Sequence, residues 1–423
     1  MSSKTKTDAT KEEAMPTLVP KLRFREFRAM KGWDIEQVGD LLDESRTPSP
    51  LNDPSRRITV RLHLQGVEHR EHRGTESTES TNNFCRKAGQ FIYGKQNIHK
   101  GAFGIIPDQL DGFETSQDLP CFDFKRRCCP EWFYYNLASE AVYGPLELKM
   151  TGTGSKRLNE KIFLSLPIAV PIYSEQQKIA ECLSSVDELI VAQARKVDAL
   201  KTHKKGLMQQ LFPREGKTQP RLRFPEFQNA GEWKVRTIGD MFRLINGCAF
   251  KPEDWKPTGT PIIRIQNLND PSAEFNYSAA PVPERNRVES GDLLFAWSGT
   301  LGSSFGARIW NGPSGVLNQH IFKVLMDEKE ITLRFALLVL ARVEEDIARR
   351  THGFKASFVH VKKSDLVKVE LLLPSLPEQQ RIATCLSSFD ALITAETQKL
   401  EALKTHKKGL MQQLFPSPED VEA

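Results

Sequence analysis

The stretch Ala199 to Pro213, ALKTHKKGLMQQLFP, returns letter for letter at Ala402 to Pro416. The repeat extends upstream, where SEQQKIAECLSSVDELI (Ser174 to Ile190) faces PEQQRIATCLSSFDALI (Pro377 to Ile393). A second repeated stretch opens each half. KLRFREF (Lys21 to Phe27) matches RLRFPEF (Arg221 to Phe227), Trp33 matches Trp233, and VGD (Val38 to Asp40) matches IGD (Ile238 to Asp240). Between these constant frames lie two segments, roughly 41–165 and 241–368, that share only scattered positions such as Gly89 and Gly291. The period is far above the ~20–50 residues of stacked repeats, so the chain is two large units and not a solenoid. Drift after a plain duplication would spread differences evenly. Constant frames around unlike inserts point to one scaffold presenting two different surfaces.

The repeated stretch has the pattern of a coiled-coil helix. In Glu175 to Phe212 the apolar residues Ile179, Leu183, Val186, Ile190, Val197, Leu200, Leu207 and Leu211 keep the alternating three-four spacing of a heptad seam, broken at Gln193 and Lys204. The second copy gives Ile382, Leu386, Phe389, Ile393, Leu400, Leu403, Leu410 and Leu414, broken at the equivalent Glu396 and Lys407. A seam of this period needs a helical partner, and the other copy is the obvious one. The pattern allows parallel pairing; chain economy favours an antiparallel pair with pseudo-twofold symmetry. Pro171 and Pro374 precede the helices and Pro213 and Pro416 follow them, as suits a residue without a backbone donor. Ser174 is the expected N-cap, with Gln177 completing a capping box. Thirty-eight residues make about 57 Å of helix. The polar seam positions have two readings: they fix register, or they mark where the seam opens to other subunits.

Bulk properties set outer limits. The 423 residues suggest two or three domains, and 39% hydrophobic with 27% charged residues is ordinary for a globular protein. No run approaches ~18 apolar residues, so no membrane span is expected. The polar N-terminal stretch has no secretion-signal core, which points to the cytoplasm. Seven cysteines without a CxxC pair agree with a reducing compartment and lack zinc-finger spacing. Cys121, Cys128 and Cys129 near His99 read as ordinary thiols rather than metal ligands, and Cys182 and Cys385 occupy equivalent packing positions. A net charge of +5 is compatible with nucleic acid but does not demand it.

In the first variable segment, RRITVRLHLQ (Arg56 to Gln65) is basic, and AGQFIYGKQNIHKGAFGIIP (Ala88 to Pro107) alternates glycines with short β-prone runs. Lys95, Gln96, Asn97, His99 and Lys100 crowd one loop there. Lysine holds phosphates and the amides suit adenine, although the same composition describes a solvated hairpin loop. In the second segment Arg264, Gln266, Asn267, Asn318 and Gln319 lie in or beside β-like runs, and Lys251 follows NGCAF. Ser298 and Thr300 belong to a turn after Trp297, read as structural with a phosphate contact in reach. His352, Phe354 and Lys355 suit insertion into a groove or plain packing. No nucleotide-loop, zinc-protease, serine-hydrolase, amino-methylation or nuclease signature is present, which favours a binding module over an enzyme.

From about Lys21 to Pro416 the layout resembles the specificity subunits of type I restriction–modification systems. The marks are LRFREF and LRFPEF, the W…VGD and W…IGD entries, and the EQQ helices with CLSS; NGCAF, GTPIIRIQNL, GDLLFAWSGTLG and NQ follow the family pattern in the second variable segment. The resemblance implies a mixed α/β (α+β) fold, with two target-recognition domains joined by two long helices in an antiparallel coiled coil. The expected division is a lead at 1–20, recognition domains at 21–165 and 216–368, helices at 166–215 and 369–416, and a tail at 417–423. It further implies a non-catalytic subunit whose domains each read half of a split DNA site. The helices would set the gap and dock two methylation subunits and, through them, two restriction subunits. S-adenosylmethionine, ATP and magnesium would sit on those partners, with no cofactor or metal on this chain. Three other readings are a fused enzyme with its own methylation domain, a coiled-coil adaptor without DNA, and a transcriptional regulator.

Overall fold

A computed structural model describes residues 18–50, 52–71, 83–351 and 358–417. Two helices of 39 residues, Tyr173–Leu211 and Leu376–Leu414, carry the repeated sequence. The chain forms two compact units. The first runs to Arg195 and takes up the chain again from Thr397; the second is Lys196–Glu396. Both helices are therefore shared between the units.

In each unit the two helices run in opposite directions. In the first, Lys407 donates to Asp187 at 2.7 Å. In the second, Lys196 donates to Glu396 at 2.6 Å, Lys204 pairs with Asp390, and His203 meets the Phe389 ring at 5.2 Å. The antiparallel expectation holds. Of the seam residues, Ile179, Leu183, Val186, Val197, Leu211, Ile382, Leu386 and Leu414 are buried and the rest half-buried. The lysines that interrupt the seam reach sideways to aspartates at equivalent places, which supports the register reading. The expected Ser174 cap is not found. The helix starts at Tyr173, and the Glu175 and Gln176 N–H groups donate to the Ile172 carbonyl, so Ser174 lies inside the first turn.

The first unit is built on a four-stranded antiparallel sheet ordered Leu42–Ser45, Cys121–Phe124, Phe91–Tyr93, Phe103–Ile105. Its aromatic core includes Phe91 stacked on Phe163 and edge-on to Phe133. Cys121 and Cys128 are buried in this unit, and burial pushes both thiols up to about 12, so they stay protonated and pack as small apolar groups. The second unit has two four-stranded sheets. One is antiparallel, ordered Phe242–Asn246, Ile321–Met326, Leu293–Ala296, Gly306–Ile309. The other, ordered Asn276–Ser278, Thr260–Ile263, Gly315–Leu317, Arg287–Val288, contains one parallel pairing. The inserts thus differ in architecture as well as in sequence.

The frame, by contrast, repeats its main contacts in both units. A short strand after each entry tryptophan pairs with the strand before each long helix: Asp34–Gln37 with Pro167–Val170, and Lys234–Thr237 with Glu370–Leu373. The LRF arginines explain the entry motif. Arg23 makes a bidentate pair with Glu175 at 2.8 and 2.7 Å and also donates to the Met30 and Lys31 carbonyls. Arg223 does the same with Glu378 and the Ala230 and Gly231 carbonyls. The first EQQ glutamine fastens the insert to the helix. Gln176 accepts from the Cys129 N–H, just before the helix Pro130–Leu137, and donates to Arg127 and Pro171. Gln379 accepts from the Thr332 N–H, just before the helix Leu333–Thr351, and donates to Glu330 and Pro374. Trp33 packs against Trp132 and Phe415, while Trp233 packs against Phe212 and Phe335.

Candidate nucleic-acid interface

In the second unit a cleft of about 250 Å³ is lined by Arg264, Ile265, Gln266, Asn318, His320 and Ile321. It lies where the strand Thr260–Ile263 ends, since the Asn318 N–H donates to the Ile263 carbonyl and joins the two β-like runs. Arg264 is half-buried, stacked over the Trp255 ring at 4.8 Å and donating to Asn276 at 2.8 Å. These contacts orient the guanidinium instead of neutralising it. Gln266 donates to the Glu274 carbonyl at 3.2 Å, leaving its amide oxygen uncommitted among the described contacts. Gln319 is exposed beside the cleft, with its amide against His320.

Other candidates fall elsewhere. Asn267 is fully buried; its amide oxygen accepts from the Arg264 N–H and its nitrogen donates to the Ala273 carbonyl. That amide shapes the loop and has nothing left to present, so Asn267 is corrected to a structural role. Ser298 is buried in a strand paired with Phe358–His360, and it too is removed from the surface set. The Thr300 carbonyl accepts from the Ser303, Ser304 and Phe305 N–H groups, which closes the turn that follows this strand. Lys251 is exposed, 3.5 Å from Glu253, and is not part of the cleft. Lys355, with His352 and Phe354, lies outside the described residues.

The first unit has a second cleft of about 180 Å³, lined by Gln96, Asn97, His99, Glu147, Met150, Ser155 and Lys156. Of the candidate loop residues, Gln96, Asn97 and His99 line this cleft together. Lys95 turns away into an ion pair with Glu160 at 2.7 Å, with both side chains largely covered, and Lys100 is exposed. Each cleft thus offers amide groups and one histidine. His99 and His320 have their Nδ1 atoms buried without a protein partner. His320 also stands 5.3 Å from the Trp297 ring, which meets His360 at 4.7 Å. Sequence reasoning missed His320, although it directly follows the NQ pair. Amides that donate and accept side by side, with cations at the rim, match the hydrogen-bonding edges of bases and the charge of phosphates. Among the described residues, no group of three histidines, cysteines or carboxylates is placed to hold a metal ion, and no helix is long and apolar enough to cross a membrane.

The family model described as type I restriction modification DNA specificity domain matches residues 30–202 and 230–405, once per repeat. The chain is 24% identical over 301 residues to the type I restriction enzyme MjaVIII specificity subunit of Methanocaldococcus jannaschii, covering 67% of this chain and 69% of that protein. It is 27% identical over 173 residues to the type I restriction enzyme EcoBI specificity subunit of Escherichia coli, covering 40% of this chain and 35% of that one. Two solved structures share the fold. One is a chain from work on complex assembly and conformational transition of the type I R-M system, with TM-score 0.59, 17% identity, and 91% of this chain and 98% of that one covered. The other is the type I restriction-modification S subunit from M. genitalium, with TM-score 0.55, 16% identity, and 94% and 99% covered.

Proposed function

Because the chain belongs to the family of type I restriction–modification DNA specificity subunits, we propose that each of its units reads one half of a split, asymmetric DNA sequence. The observation that carries this reading is the contrast between frame and insert. The arginine–glutamate clamp, the glutamine cap and the entry tryptophan recur in both units, while the surfaces they support differ in sheet topology and in cleft residues. Two unlike readers on one chain recognise a site without the palindromic symmetry that a symmetric dimer requires. Linking them raises affinity only for sites whose spacing lets both engage, so the long helices that the two units share set the gap.

The two copies of the helix sequence supply equivalent docking places for two methylation subunits, and through them for restriction subunits. Chemistry belongs to those partners, which bind S-adenosylmethionine, ATP and magnesium; this chain contributes recognition and no catalytic group. The site of action is the cytoplasm. Among the candidates, Gln96, Asn97, His99 and Lys100 serve the first half-site, and Arg264, Gln266, Asn318 and Gln319 the second.

The test is a methylation map of DNA from cells that co-express this chain with its methylation subunit. The expected result is a two-part motif with a fixed gap. Methyl transfer by the isolated chain, or a soluble complex that adds no new methylation, would overturn the reading.

A further inference from the structure

The first unit carries a feature that neither cleft absorbs. Strands Ile58–Val60 and Val67–His69 pair as a two-stranded antiparallel ribbon. At its tip the Gln65 N–H donates to the Leu62 carbonyl at 3.2 Å, and the two residues between, His63 and Leu64, both have left-handed backbones with φ of 56° and 58°. This is the geometry of a type I′ turn, whose central positions are normally filled by asparagine and glycine. Side chains with a Cβ are strained there, and a strained pair persists where the surroundings or the function retain it.

The fold accounts for the Leu64 side chain but not for that of His63. Leu64 sits on Gly101, where an added Cβ would come within 3.1 Å of the Leu64 nitrogen, and Val67 sits on Gly104, where it would come within 2.7 Å of the valine side chain. The two glycines of KGAFG are therefore the seat on which the ribbon lies. The His63 N–H donates to the Lys100 carbonyl at 2.7 Å and the Leu64 N–H to the Gly101 carbonyl at 3.0 Å, which fixes the tip beside the candidate loop. The His63 side chain is exposed, as are Gln65 and Lys100. Arg61 and Glu68 brace the two strands by an ion pair. Between Arg56 and Glu71 the sequence holds four arginines against two glutamates, and with Arg57 paired to Glu114 the stretch keeps a small positive excess.

We infer that this ribbon is a DNA-reading element of the first unit, entering the major groove with His63 and Gln65 against base edges and Lys100 on the phosphate backbone. The inference rests on the proposed function. A two-stranded ribbon fits the width of the major groove, the glutamine amide can pair with adenine in two hydrogen bonds, and imidazole supplies one donor or acceptor. The seat on Gly101 and Gly104 gives the tip the rigid support that base readout needs.

The ribbon is tested with the complex of the full chain and its methylation subunit, acting on a duplex library randomised at both half-sites, with methylated products sequenced. Substitution H63G keeps the left-handed backbone and removes only the imidazole, so thermal stability is held or raised. The wild type is expected to give a two-part motif. H63G is expected to lose discrimination at positions of one half-site, about tenfold for each lost base contact, with the other half-site unchanged. Q65A is expected to relax the same half-site. An unchanged motif in both variants, beside a two-part wild-type motif, overturns the ribbon assignment and leaves the functional reading standing. A wild-type complex without a two-part motif overturns that reading and the ribbon with it.

Discussion

Arg23 and Arg223 each sit almost wholly inside the protein, paired with Glu175 and Glu378 that are equally covered. A buried ion pair gains little over a well-packed apolar pair, because desolvating both charges offsets most of their attraction. Losing one partner is a different matter, since it strands the other charge. We therefore expect Arg23→Ala to cost about 3–5 kcal/mol, read as a lower urea midpoint, and the double replacement of Arg23 and Glu175 by methionine to recover most of that loss. Recovery by the double variant separates the stranded charge from a general loss of packing. These arginines were visible in the sequence as a repeated LRF, but their partners stand more than a hundred residues away in the EQQ helix. Repetition marked both motifs as constant; only the fold shows that they hold each other.

At the scale of elements, the heptad seam was the most legible part of the molecule, because its period is local and its partner was supplied by the second copy. The cap was less legible. Ser174 has the right chemistry and spacing, yet the helix begins one residue earlier, after Pro171 and Ile172. The candidate loops were legible only as compositions: polar residues side by side in sequence alternate between cleft and interior, as Gln266 and Asn267 do. How a helix holds a turn was not legible at all. Glu344, on the helix Leu333–Thr351, accepts from the Gly302 N–H and lies against Gly306, securing the SGTLG turn. Burial raises its carboxyl above the usual range, against the opposing pull of Arg308 and the Gly302 N–H. A raised carboxyl means that the folded state favours the proton more than the unfolded state does. Its contribution is therefore fully present below the ordinary value of 4.5 and is lost as pH rises through the folded value. Glu344→Gln keeps an oxygen to accept from Gly302 without the charge. The variant is expected to be more stable than wild type at pH 7, with the difference closing as pH falls through the folded value and gone below 4.5, in thermal melts across that range.

At the scale of the molecule, each unit draws on both long helices, so neither half of the sequence is a unit by itself. The first unit needs the chain beyond Thr397, and the second needs the helix from Lys196 onward. A division of the sequence into consecutive segments does not show this, because the contacts that close each unit join residues far apart. If the long helices that the two units share set the gap in the DNA site, their length should be adjustable without touching either reader. Seven residues inserted after Arg195 and seven after Glu396 add two helical turns to both helices at the boundary. The heptad phase is kept, and pairs such as Lys196 with Glu396 stay within one unit. The added rise is about 10 Å, which on DNA corresponds to about three base pairs. The expected methylation map keeps both half-sites letter for letter and lengthens only the gap. Inserting in one helix alone offsets the lysine–aspartate pairs of the seam and should weaken folding instead. A matched double insertion that folds, methylates and leaves the gap unchanged would show that spacing is fixed elsewhere, most directly by how the methylation subunits hold the DNA.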